Sequence, residues 1–197
     1  IDYSSTKSKI AVLVANVRGG QKAIEFEQVD QIFYPFSTSP TFLKKNLNTT
    51  IVQAEKTIDD LQNLCIKSGK ELVAFVSLAF GDPYGDPGST ELVYRWVEKL
   101  VSKGSNKIPL ADTIGDVSPA LIRLVCNAVV HDFPAIEFGL HTHAYTGKGL
   151  KKIDAAWQSG IRRFDTVIHG LGGCPMTDKE LVGNLALEVL LDYCGTN

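Results

Sequence analysis

The chain has 197 residues, 44% of them hydrophobic and 21% charged, with a formal net charge of −2. This is the composition of a globular chain long enough to bury a core, and it excludes intrinsic disorder. No basic block points to nucleic acid or to an anionic membrane surface, and no apolar run approaches the roughly 20 residues of a membrane helix.

Apolar runs alternate with amphipathic stretches along the whole chain. A strand is predicted over KIAVLVAN (9–16), ending in a turn at VRGG, and a second over QIFYPFS (31–37). TTIVQAEKTIDDLQNLCIKSGK (49–70) has apolar residues at helical spacing, a threonine cap and a glycine near its end. ELVAFVSLAF (71–80) is a buried-strand run, closed by the turn-rich GDPYGDPGST. ELVYRWVEKLVSKG (91–104) is helical and KIPLADTIG (107–115) is a short strand. SPALIRLVCNAVVHDF (118–133) opens with a serine cap and then proline, which is favoured at the first helical position. AIEFGLHTH (135–143) is a strand, GLKKIDAAWQSG (149–160) a helix, RFDTVIHGLGG (163–173) a strand plus glycine loop, and KELVGNLALEVLLDYC (179–194) a last helix.

Six strand-then-helix units with continuous apolar strands imply parallel strands covered on both faces. Two architectures compete: an open doubly wound sheet, or part of a (β/α)₈ barrel. No G-x-G-x-x-G opens a helix after the first strand, which argues against a dinucleotide-binding sheet. In either fold the chemistry belongs at the C-terminal ends of the strands.

Those ends carry polar residues. They are Asn16, then Ser37 and Thr38, Ser77, Asp112 with Thr113, His141 with His143, and the glycine loop GLGGCP (170–175), which presents Cys174. Residues i and i+2 of a strand point the same way, so His141 and His143 can converge on one ion; the plainer alternative is a polar strand end. Asp112, flanked by Leu110, Ala111 and Ile114, is either a partly desolvated acid–base group or a brace for the loop before Ser118. Cys174 sits where three glycines let the backbone bend; its thiol can move a proton, or it is a small residue that fits. Asn184 and Glu188, four apart on the last predicted helix, share a face and either reach the histidines or cap a surface. Cys65 and Cys126 fall in helical patterns and read as buried small hydrophobes. With no Cys-x-x-Cys pair, cysteine usage fits a reducing compartment better than secretion. His131 reads as a charge at a helix C-terminus, and His169 has no partner pattern.

The strings LADTIGDVSP, GLHTH, GLGGCP and GNLALE, in this order and spacing, resemble the 3-hydroxy-3-methylglutaryl-CoA lyase family. ANVRGGQKAIEFE, TFLKKNLNTT and FVSLAFGDPYGDPGS are similar to it as well, the last to its bacterial branch. The His-x-His strand and the G-x-G-G loop occur across a wider superfamily. That group includes isopropylmalate and homocitrate synthases and the carboxyltransferase domain of pyruvate carboxylase. The Cys-Pro pair, and the Gly-Asn with Glu four residues later, favour the lyase.

The resemblance implies one barrel domain over 1–197, a partial (β/α)₈ (TIM) barrel whose units correspond to strands 3–8. It implies cleavage of 3-hydroxy-3-methylglutaryl-CoA to acetyl-CoA and acetoacetate with a divalent cation, Mg²⁺ or Mn²⁺. His141, His143 and Asn184 are then metal ligands. Cys174, Asp112 and His141 take part in proton transfer, Glu188 supports the ligands, and Asn16 and Thr113 lie near the acyl-CoA substrate. A homo-oligomer, a dimer, is expected, in the cytoplasm or the mitochondrial matrix. The family's first strand carries an Arg-Asp pair, whose Asp is an anionic metal ligand, and nothing here matches it. The resemblance therefore implies an N-terminally truncated chain with a neutral ligand set, weak magnesium binding and no activity by itself. It also implies apolar edges at KIAVLVAN and RFDTVI that favour association. A condensing synthase of the same superfamily and a non-catalytic degenerate barrel are the alternatives.

Overall fold

The computed structural model describes residues 6–145, 147–173 and 182–196. Six strands form one sheet: β1 (Ile10–Leu13), β2 (Val29–Ser37), β3 (Glu71–Ser77), β4 (Lys107–Asp112), β5 (Glu137–Thr142) and β6 (Arg163–Asp165). Their spatial order is their chain order, and every pairing is parallel. A doubly wound sheet reverses direction at a switch point; this sheet never does, so the chain is a partial (β/α)₈ barrel. The helices are α1 (Val17–Ala23), α2 (Pro40–Leu47), α3 (Ile51–Ser68), α4 (Thr90–Ser102), α5 (Pro119–Asp132), α6 (Gly149–Gln158) and α7 (Leu187–Thr196).

Local chemistry sets the helix ends. Thr50 and Gln53 form a reciprocal capping box at the start of α3, and Gly69 ends that helix at φ 67°, in the left-handed region that favours glycine. Ser118 caps α5 through the Leu121 amide, with Pro119 in its first turn. Two helices arise where sequence periodicity gave none. Asn16 accepts a hydrogen bond from Gly19 N at 2.9 Å, which turns the expected VRGG turn into α1. Ser39 does the same for α2, with Pro40 opening it.

The period of two along each strand sorts its side chains between two faces. Ile32, Tyr34, Phe36, Leu72, Ala74, Val76, Ile108, Leu110 and Leu140 join the main core with Ile58 and Leu61 of α3, Val97 and Leu100 of α4, and Ile122 and Val125 of α5. Full burial of each such aliphatic side chain contributes about 1.5–3 kcal/mol. The alternate residues, among them Phe33, Pro35, Phe75, Ala111 and His141, line the barrel lumen.

The last helix is shorter than its periodicity predicts. It begins at Leu187, so Asn184 and Glu188 do not share a helix face. The segment before it runs extended: Leu185 N donates to Thr142 O at 3.2 Å, Val167 N to Leu185 O at 3.0 Å, and His143 bridges Asn184 antiparallel. Backbone pairing to two strand ends there outweighs local helical preference.

Candidate functional site

A cleft of about 630 Å³ opens at the C-terminal end of the sheet, lined by Phe33, Phe75, Ser77, Thr113, His141, His143, Asp165, Thr166, Gly173 and Asn184, among others. Its floor is aromatic and its rim polar, because the strand bodies are apolar and their ends are not.

The two histidines meet there. Their ring centroids are 5.2 Å apart and nearly perpendicular, and the edge of the His141–Phe75 pair closes one side at 5.8 Å. His143 is 3% exposed; the Gly183 backbone hydrogen-bonds to its imidazole, and among the described residues its buried Nδ1 has no partner by hydrogen-bond geometry. A buried polar atom normally has a partner, so the lone pair of this nitrogen is a candidate ligating position. Burial, aided by the neighbouring His141, holds the His143 imidazole below the ordinary histidine range and favours its neutral, ligating form. His141 Nδ1 lies 3.1 Å from Asp165 Oδ2. An ionised carboxylate only accepts, so this contact places the proton on Nδ1 and leaves the Nε2 lone pair available.

Asn184 reaches the same cleft. Its Nδ2 donates to Leu171 O at 2.7 Å, which orients the amide and its acceptor Oδ1. Two imidazole nitrogens and one amide oxygen form a donor set that fits a divalent cation. Among the described residues no three His, Cys, Asp or Glu side chains cluster as a metal site.

Other predicted residues stand elsewhere. Thr113 lines the cleft, and its Oγ1 accepts from Leu78 N at 3.0 Å, bracing Leu78 in a left-handed conformation (φ 59°). Asn16 is exposed and occupied as the α1 cap. Glu188 contacts neither histidine of the pair; it accepts from His169 N at 3.1 Å and pairs with His169 Nδ1 at 3.0 Å. It thereby braces the turn Ile168–Gly170 that leads into the glycine loop. Cys174 lies outside the described residues. Cys65 and Cys126 are buried as expected, and burial pushes the Cys126 thiol up to about 12.

Asp112 is on the other face of the sheet. Ala111 and Thr113 line the cleft, so the residue between them points to the helices. There it is 3% exposed and paired with Lys152 Nζ at 2.6 Å. That is the loop-bracing geometry, with Gly115 N donating to Asp112 Oδ1 at 3.0 Å. Sequence reasoning passed over two residues. Asp165 is the first polar residue at the end of β6, a signal of the kind that singled out Asp112. Lys152 is a lysine on the apolar stripe of α6, in phase with Gly149, Ile153 and Ala156.

A sequential parallel sheet with its polar side chains gathered at the C-terminal strand ends defines a TIM-barrel-type protein with its site in the barrel mouth. The chain belongs to the HMGL-like family, which matches residues 2–193. It is 34% identical over 178 residues to the hydroxymethylglutaryl-CoA lyase YngG of Bacillus subtilis, covering 90% of this chain and 59% of that protein. It is 32% identical over 180 residues to the mitochondrial hydroxymethylglutaryl-CoA lyase of Rattus norvegicus, covering 91% and 55%. The chain thus spans between half and three fifths of these relatives. The crystal structure of the B. subtilis HMG-CoA lyase superimposes with a TM-score of 0.88 at 32% identity, over 98% of this chain and 64% of that one. The HMG-CoA lyase of A. baumannii in complex with coenzyme A and 3-methylmalate gives 0.86 at 28%, over 98% and 63%. No helix among the described residues is long and apolar enough to cross a membrane.

Proposed function

We propose that the protein is a carbon–carbon lyase acting on 3-hydroxy-3-methylglutaryl-CoA, with His141, His143 and Asn184 holding a divalent cation, Mg²⁺ or Mn²⁺. One observation carries this reading: the unpartnered, buried Nδ1 of His143 in a cleft shared with His141 and Asn184. Similarity to hydroxymethylglutaryl-CoA lyases supports the substrate class.

In the reaction the tertiary hydroxyl loses its proton and the adjacent carbon–carbon bond breaks. The bonding electrons move to the thioester fragment as an enolate, which takes up a proton to give acetyl-CoA; acetoacetate is the other product. His141, His143 and Asn184 would hold a cation that would supply Lewis-acid polarisation of substrate oxygens. The chain's own residues set the stage. Asp165 fixes the His141 tautomer, and the Leu171 carbonyl fixes the Asn184 amide. Phe33 and Phe75 make the cleft floor apolar. Cys174, on the glycine loop, is assigned the proton delivered to the enolate carbon.

The test is to incubate the complete protein with 3-hydroxy-3-methylglutaryl-CoA and Mg²⁺ or Mn²⁺ and assay acetoacetate. Metal-dependent acetoacetate release is expected. Binding of Mn²⁺ without cleavage, or condensation of acetyl-CoA with a keto acid, overturns the lyase assignment.

A further inference from the structure

We infer that Lys152 is a positioning residue for the candidate metal site, and that Asp112 is its counter-ion and not a proton-transfer group; the inference rests on the metal-site reading above. Lys152 is 3% exposed, on the face of α6 that packs against the sheet. Its ammonium donates to Asp112 Oδ2 at 2.6 Å, Gly115 O at 2.8 Å and His143 O at 2.9 Å, which uses its three protons. Thr142 Oγ1 lies farther off, at 3.4 Å. Asp112 is satisfied in turn: Thr142 Oγ1 donates to its Oδ2 at 2.9 Å and Gly115 N to its Oδ1 at 3.0 Å.

These bonds tie four pieces of chain to one buried charge: α6, the end of β4, the loop at Gly115, and the end of β5. Two of the tied residues neighbour or carry cleft groups. His143 is held by its own carbonyl on the helix side while its imidazole projects into the lumen. Thr113, next to Asp112, lines the same cleft. Gly115 closes the arrangement at φ +83°, and a Cβ there would lie 3.0 Å from His143 Cβ and 2.9 Å from Val182 Cγ1. Apolar side chains of similar volume would hold α6 to the sheet without desolvating two charges. They offer no donors to the carbonyls of Gly115 and His143, so what the ion pair adds is fixed geometry at the strand ends.

The experiment uses the complete protein with Mn²⁺ as probe. Lys152→Met alone leaves Asp112 buried and unpaired, so the deciding variant is Lys152→Met with Asp112→Leu, which removes both charges. This double variant is expected to fold cooperatively, to bind Mn²⁺ about tenfold or more weakly, and to exchange amide hydrogens faster over 113–116 and 142–145 while 163–170 is unchanged. Unchanged Mn²⁺ affinity and exchange overturn the inference, and so does failure of the double variant to fold, which would make the pair an element of the core alone. If the parent protein binds no Mn²⁺, the metal-site reading fails, and the exchange rates by themselves decide the role of Lys152. Asp112→Asn supplies the remaining arm: loss of acetoacetate turnover with Mn²⁺ affinity intact would assign Asp112 a proton transfer and overturn the counter-ion role.

Discussion

The two ends of the sheet treat charge differently. At the N-terminal end, Glu71 accepts from Gln31 Nε2 at 2.6 Å and Lys107 Nζ at 2.8 Å. Nearby, Lys70 Nζ donates to the carbonyls of Phe26 and Val29 at 2.9 and 2.5 Å. Glu71, Lys70 and Lys107 are partly exposed, Gln31 is buried, and each charge has a hydrogen-bond partner. At the C-terminal end, Lys152 and Asp112 are buried, and near them the His143 Nδ1 is buried without a hydrogen-bond partner among the described residues. A partly exposed, satisfied network adds little stability and asks for nothing more. A sequestered charge beside an open ligand position costs desolvation and is an investment in geometry.

Removing the open position should have the largest effect. His143→Ala is expected to weaken Mn²⁺ binding by about 100-fold or more, measured by calorimetry. Equal affinity in the variant would place the metal elsewhere. Next comes the turn that supports the position. Gly115→Ala forces a side chain into a left-handed conformation and against His143, at a cost of about 1–3 kcal/mol. Thermal denaturation should register this as a fall of several degrees, accompanied by weaker Mn²⁺ binding. A smaller effect is expected from Thr50→Ala, which removes the α3 capping box far from the cleft. It should cost about 1 kcal/mol in urea denaturation and leave Mn²⁺ affinity unchanged. Coupled loss of both would mean that the two ends of the molecule are not independent.

Much of this contrast can be read in the sequence. The alternation of apolar strands and capped helices gave the parallel architecture, and strand parity put His141 and His143 on one face. The same parity, applied to β4, places Asp112 in step with Ile108 and Leu110 and so on the helix side; a partly apolar flank was a weaker guide than that register. The identity of Asp112's partner was harder to see. Lys152 sits forty residues away, and only the packing of α6 onto β4 and β5 brings them to 2.6 Å. The segment before α7 misled for a related reason. Its apolar spacing is helical, yet its amides pair with Thr142 and Gly170, and no local pattern reports such long-range partners. Asn16, read as a strand-end residue, and Ser39 act as caps, but helices of 7 and 8 residues are too short for periodicity to announce.

The N-terminal end yields the smallest effect and the sharpest test of the contrast. Burial raises the Glu71 carboxyl, but hydrogen bonds from Lys107 and Gln31, with the Lys107 charge, outweigh it and hold the group below the ordinary value of 4.5. The folded state therefore releases this proton more readily than the unfolded one. The resulting stability is fully present above the ordinary value and is lost as pH falls through the lower folded one. Glu71 is 29% exposed and Lys107 17%, so solvent screening limits the pair to about 1 kcal/mol or less. Glu71→Gln should thus be slightly less stable than the parent in urea at pH 7 and indistinguishable from it near pH 3, with Mn²⁺ affinity untouched at neutral pH. A penalty as large at pH 3 as at pH 7 would show that packing, not charge, holds this end. A change in Mn²⁺ affinity would show that the closed network at the bottom of the sheet is coupled to the open site at the top.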